Sequence, residues 1–211
     1  MEVVNRAFDA EFQTRDDSGK RGVVSGRPVV LNSRTDLGFC DEVIDSGALS
    51  NTDLSDVRLC LNHDTSYVYA RSRNNNGSST MQISTDALGL SFEAELDIEN
   101  SPAAQDYYSA ISRGDIDKMS FMFTIDGYEW ENLESDHPTR HITSIGKIFE
   151  ISAVTFPAYQ STSIEARSSE ELDSIRSELE SAREQRRKES PDGGSIELEK
   201  AKYNFTRRKS K

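Results

Sequence analysis

Three side chains carry the reactive potential of this chain: His63, Ser120 and Glu150. A serine hydroxyl is a weak nucleophile until a base takes its proton, and an imidazole has the ordinary pKa for that work near neutrality. A carboxylate that accepts the second ring N–H orients the imidazole and stabilises it once it is protonated. Together the three are the parts list of a serine hydrolase. Each also has an unreactive reading. A lone histidine at a strand end or a serine within a strand is usually only structural, and a buried glutamate can be satisfied by an arginine.

Other reactive groups make weaker cases. Cys60, three residues before His63, falls on the opposite side of an alternating strand from it, and buried thiols are commonly inert. His63, His137, His141 and Asp64 have no familiar metal-ligand spacing. Glu93, Glu95, Asp97 and Glu99 share one side of a strand and read as a solvated face before they read as glycosidase carboxylates. No Gly-rich phosphate loop is present, and Cys40 and Cys60 form no CxxC pair.

The elements that must position the three residues are strands. Met119, Phe121, Phe123 and Ile125 alternate with Lys118, Ser120, Met122 and Thr124, so Ser120 points away from a strongly apolar face. Val57, Leu59, Leu61 and His63 alternate with Arg58, Cys60 and Asn62, which places His63 at the end of the apolar side. Lys147 to Phe156 is apolar on both sides, as a central strand should be, and Glu150 is the anomaly within it. Around these, residues 3–13 form a first strand, Gly22 to Leu31 a strand bent near Gly26 and Pro28, and residues 57–97 an antiparallel meander that includes a hairpin across Asn74 to Ser79. Residues 32–38 read as a loop, 50–56 as a short helix and 129–141 as a polar loop or hairpin end. Ser101 caps a helix that Pro102 begins and Gly114 stops, with Ala103, Tyr107, Ala110 and Ile111 on its inner face. Ser168 and Glu171 form a capping-box pattern. Leu172, Ile175, Leu179 and Ala182 follow as a narrow stripe, close to a coiled-coil seam.

Composition narrows the classes. A chain of 211 residues with 35% hydrophobic and 29% charged residues can bury one core and carry a solvated appendage. Its net charge of −12 argues against general nucleic-acid binding. The charge is uneven: acids dominate residues 1–167, whereas the end is basic at Lys200, Lys202, Arg207, Arg208, Lys209 and Lys211. No apolar run approaches the roughly 20 residues of a membrane span, and Met1 to Asn5 lacks a signal-peptide core. The expectation is a protein acting inside a cell or inside something assembled there, with no repeats and no membrane partner.

Five segments in order resemble the prohead (procapsid) maturation serine proteases of tailed bacteriophages. They are Val43-Ile44-Asp45-Ser46-Gly47-Ala48-Leu49, Leu61-Asn62-His63-Asp64, Asp86 through Ala94, Arg113 through Phe123, and Phe149 through Tyr159. They span about residues 20–165. Met122 departs from the pattern, since the family often has glycine after the Ser-Phe pair. The resemblance implies an α+β, mainly β fold: an antiparallel β-barrel of the herpesvirus-protease (assemblin) type with peripheral helices, and a C-terminal helical and disordered tail. Residues 1–167 would be the catalytic domain, 168–189 a charged helix and 190–211 a flexible basic tail.

By the same resemblance, Ser120 is the nucleophile of a serine endopeptidase and His63 its general base. Glu150 is the preferred third member. The assemblins resemble a Ser-His-His arrangement, which nominates His141 or His137 instead. No cofactor or metal is implied. The implied substrates are the scaffolding protein or the scaffolding segment of the major capsid protein, cut inside the assembling procapsid in the host cytoplasm, and the protease itself. A homodimer follows only by analogy with the assemblins. The tail stripe and basic end could pair with acidic scaffold helices or could simply be solvated. Two rival functions remain: a non-catalytic assembly protein that binds capsid or scaffold through the same barrel, and a hydrolase of small esters.

Overall fold

The computed structural model describes residues 3–9, 12–17, 21–155 and 169–189. Eleven strands and two helices lie within them, in chain order β1 (Val3–Asp9), β2 (Gln13–Asp17), β3 (Arg21–Val30), β4 (Arg34–Asp36), β5 (Asp41–Ile44), β6 (Val57–Leu61), β7 (Ala70–Ser72), β8 (Met81–Asp86), β9 (Gly89–Leu96), α1 (Pro102–Ser112), β10 (Lys118–Glu131), β11 (Thr139–Val154) and α2 (Ser169–Glu189). The fold is mainly β with two helices, of the α+β class. No helix among the described residues is long and apolar enough to cross a membrane.

The strands form two sheets and, among the described residues, do not close into a barrel. A seven-stranded sheet runs β1-β10-β11-β5-β4, with β6 also paired to β11 and β7 to β6. A four-stranded sheet runs β2-β3-β9-β8. The large sheet is mixed rather than antiparallel, because β11 pairs parallel with both β5 and β6. β11 is central, as its apolar residues on both sides require, and it is long enough to take β5 near its start and β6 near its end.

One face of the large sheet makes the core. Leu59, Met119, Phe121, Phe123, Ile151 and Ala153 are fully buried there, in one cluster with Val24, Leu90, Phe92 and Ala94 of the small sheet. Burying each large side chain contributes about 1.5–3 kcal/mol, so this face fixes the register of β6, β10 and β11. The opposite face is left for the polar residues between them.

Several expectations change. The meander breaks between β7 and β8, which lie in different sheets. Its cause is Asn75: the side-chain amide donates to Ile83 O at 2.8 Å and accepts from Ile83 N at 2.9 Å, taking the place of a strand partner. Residues 32–38 contain β4, and 50–56 are turns and a bridge without a helix. The first apolar segment is split into β1 and β2. The bend in β3 is a register shift between Gly26 and Val29. Residues 129–141 are a hairpin end, as expected: β10 runs to Glu131, β11 starts at Thr139, and 132–138 turn between them.

Helix α1 begins as expected, with Ser101 Oγ accepting from Ala104 N and Pro102 in the first turn. Gly114 follows its end at φ +74°, a backbone that favours glycine. Its inner face is Ala104, Tyr107 and Ile111, and Ala103 is exposed. The stripe of α2 is not an open seam: Leu172, Ile175 and Leu179 are buried, and Ile175 packs with Leu37, Cys40, Phe39 and Trp130. Residues 156–168 and 190–211 lie outside the described residues, so the Ser168 half of the capping box and the tail reading lie there too.

Candidate active site

The polar face of the large sheet is organised in rungs. Directly opposed residues share a face, with Cβ atoms about 4.5–5.5 Å apart. One rung reads Ala7, Ser120, Ser152, Cys60 across β1, β10, β11 and β6; the next reads Asn5, Met122, Glu150, Arg58. Ser120 is therefore one rung and one strand from Glu150. Ser120 is 2% exposed and Glu150 1%.

His63 reaches this face by leaving its strand. β6 ends at Leu61, and Asn62 (φ +51°) and His63 (φ +60°) both adopt the left-handed conformation. The alternation that would put His63 on the apolar side stops at Leu61, and the turn carries the ring back over the Glu150 rung. His63 Nδ1 lies 2.6 Å from Glu150 Oε1. With Nδ1–H donating to the carboxylate, Nε2 is left as the proton acceptor, on a side chain 23% exposed. No hydrogen bond joins Ser120 to His63 among the described residues.

The buried glutamate found its partner in a histidine rather than in the arginine of the structural reading. Arg58 faces Glu150 in the register, but its guanidinium goes to Asp56, Nη2 to Oδ2 at 3.0 Å. A second partner was not foreseen. Ser152 Oγ donates to Glu150 Oε2 and accepts from the His63 backbone N at 3.1 Å. The signal available in the sequence was its place two residues after Glu150, hence on the same face.

Cys60 is on this face too, contrary to the expectation that it points away from His63. Burial, with the Glu150 charge adding to it, pushes its thiol up to about 12, so it is protonated and unreactive for that reason rather than for its orientation.

The remaining histidines belong to the far end of the β10–β11 hairpin. His141 is nine residues before Glu150 on β11, roughly 30 Å at the usual rise per strand residue. Its Nδ1 bonds Asp45 at 2.8 Å and its Nε2 bonds Glu131 at 3.2 Å. The Asp45 hydrogen bond, helped by Glu131, raises its pKa. His137 Nε2 lies 3.1 Å from Asp41 and 3.6 Å from Asp36. Neither ring is placed to orient His63. The His63, His137, His141 and Asp64 set is thus not brought together. Asp36, Asp41 and His137 do offer ligand atoms within 4.8 Å of one another, but Arg34 bonds the other oxygen of Asp41, so the group is satisfied as an ion-pair cluster. Glu93, Glu95, Asp97 and Glu99 are exposed, as a solvated face should be.

Comparison with protein families matches residues 9–176 to the model of the caudovirus prohead serine proteases. Searches of curated proteins and of solved structures found no match.

Proposed function

We propose the chemistry of this site from one premise: the chain belongs to the caudovirus prohead serine protease family, and so is a serine protease. In our reading Ser120 is the nucleophile, His63 the general base and Glu150 the orienting carboxylate. The observation that carries it is the 2.6 Å contact between His63 Nδ1 and the buried Glu150, one rung from a serine on the same face. No chemistry-free reading accounts as well for a carboxylate buried against an imidazole whose other nitrogen is left open.

His63 Nε2 takes the Ser120 proton as Oγ attacks the peptide carbonyl carbon. Glu150 stabilises the imidazolium, which then gives its proton to the leaving amine. Water attacks the acyl-enzyme by the same route in reverse and frees Ser120. Because Ser120 is buried and not bonded to His63, the reading includes a local rearrangement that closes this pair when substrate enters; such contacts often tighten only in the bound complex.

The substrates in this reading are the scaffold or the scaffolding segment of the capsid protein, together with the protease itself, inside the procapsid. The assemblin-type fold and a homodimer belong to the same reading. The test is co-expression of wild type or Ser120→Ala with the capsid precursor and scaffold, followed by intact-mass measurement. Trimmed capsid protein and a shortened protease with wild type, and neither with Ser120→Ala, is the expected result. Identical trimming in both would remove Ser120 as nucleophile and favour a non-catalytic assembly role.

A further inference from the structure

Ser152 has no role in that scheme, yet it touches two of its parts. Its hydroxyl has one proton to donate and lone pairs to accept with. The proton goes to Glu150 Oε2, and the His63 backbone N–H donates to Oγ at 3.1 Å. Ser152 is completely buried. Water cannot replace either bond, so removing the hydroxyl leaves a carboxylate oxygen and an amide without partners.

The backbone of His63 needs such a partner. Two successive non-glycine residues in the left-handed region cost on the order of 1 kcal/mol or more each and persist only where surrounding contacts impose them. Three anchors impose them here. Asn62 N donates to Ala153 O at 2.9 Å. Asn62 Oδ1 accepts from Thr155 N at 2.9 Å and Thr155 Oγ1 at 3.2 Å. The third is Ser152 on His63 N. All three come from residues 152–155, which continue directly from Glu150. The turn that carries the base and the strand that carries the carboxylate therefore move as one body, and Ser152 is the point where the two are joined.

We propose that Ser152 is a positioning residue of this protease, a single hydroxyl that fixes the His63 backbone and the Glu150 carboxylate in one geometry. The inference rests on the triad reading above. It differs from a merely structural role in what it predicts for rate and pH. Without the hydroxyl, the His63 ring loses its fixed approach to Ser120, and a misplacement of about 1 Å costs on the order of 100-fold in rate. Glu150 Oε2 also loses a donor, so more negative charge faces His63 and the imidazolium is favoured.

The experiment uses the full chain, with a peptide spanning a cut site mapped from the co-expressed precursor. Ser152→Ala is expected to lower kcat by roughly 10–100-fold with little change in KM. The acidic limb of its kcat/KM profile should move to higher pH, and Ser152→Thr, which keeps the hydroxyl, should restore that limb. A folded Ser152→Ala protein with unchanged kcat and limb overturns the proposal, as does a Ser152→Thr protein with the limb shifted as in Ser152→Ala. Should Ser152→Ala fail to fold, hydrogen exchange of the His63 amide in Ser120→Ala protein decides it. Protection of at least about 100-fold is expected for an amide bonded to a buried hydroxyl, and exchange at the rate of an open amide overturns the assignment. Ser120→Ala also separates the two readings: if it still cuts, the triad reading fails, whereas if it is inactive and Ser152→Ala is normal, only the role of Ser152 fails.

Discussion

Replacing Glu42 by glutamine should unfold this protein at distinctly lower denaturant concentration. Glu42 is 3% exposed and lies between two guanidinium groups that are themselves buried, Arg6 at 0% and Arg140 at 2%. Both its oxygens take Arg6, Oε2 at 2.9 Å from Nη2, and Oε2 also takes Arg140 Nη1 at 3.2 Å. The network joins β1, β5 and β11, and β1 is the strand that flanks Ser120 through Ala7. Arg140 continues it to Glu178 of α2 at 2.7 Å. Removing one partner of a buried ion pair costs about 3–5 kcal/mol, because the charge left behind stays desolvated. Arg140 keeps Glu178, which puts the expectation at the lower end, about 3 kcal/mol. At about 2–4 °C per kcal/mol for a domain of this size, that lowers Tm by roughly 6–12 °C. The assay is urea unfolding followed by Trp130 fluorescence, with the slope expected to stay constant and the midpoint to fall. Glu178→Gln, at the more exposed rim, should cost only about 1 kcal/mol. A Glu42→Gln loss below about 1 kcal/mol would refute the argument that these charges depend on one another.

Other outcomes follow from the same geometry. Glu150→Gln keeps the shape and loses the charge that holds the imidazolium, so kcat on a mapped peptide should fall roughly 10²–10⁴-fold; an unchanged kcat would remove Glu150 from the site. Cys60, with its thiol pushed up to about 12 by burial, should resist iodoacetamide at pH 8 in the native protein and react once it is unfolded; rapid native labelling would contradict the packing around the Ser152 rung. His141 titrates with a pKa raised by Asp45 and then Glu131 above its ordinary 6.5. Its contribution to stability is therefore full below pH about 6.5 and is lost as pH rises through the raised value. The stability difference between wild type and His141→Gln should shrink over that range in urea titrations, and a difference independent of pH would contradict the pairing.

Much of the candidate site is legible because two strands announce it. The alternation of Met119, Phe121 and Phe123 around Ser120 fixes which face is apolar, and a charge inside the doubly apolar β11 marks Glu150 as needing a partner. The path of His63 was not legible. Period-two reasoning carried it to the apolar side, whereas two left-handed residues reverse the chain after Leu61, and their anchors at Ser152, Ala153 and Thr155 are some ninety residues away. The face of Cys60 fails by the same step, since period-two reasoning places it opposite His63. The split of β7 from β8 turned on one asparagine side chain standing in for a strand. For α2, the stripe of Leu172, Ile175 and Leu179 was read correctly as apolar, but its neighbours Leu37, Cys40 and Trp130 are distant in sequence, so a packed helix resembled an open seam. The parallel pairs of β11 with β5 and β6 were hidden for the same reason: nothing local specifies which strands a long central strand will collect.

The most direct test of the central claim is reaction of the full-length protein with a fluorophosphonate, followed by peptide mapping of the adduct. One adduct on Ser120 is expected in wild type, and none there in His63→Ala, which lacks the proposed base. An adduct on any other residue, or equal labelling of Ser120→Ala, would contradict it.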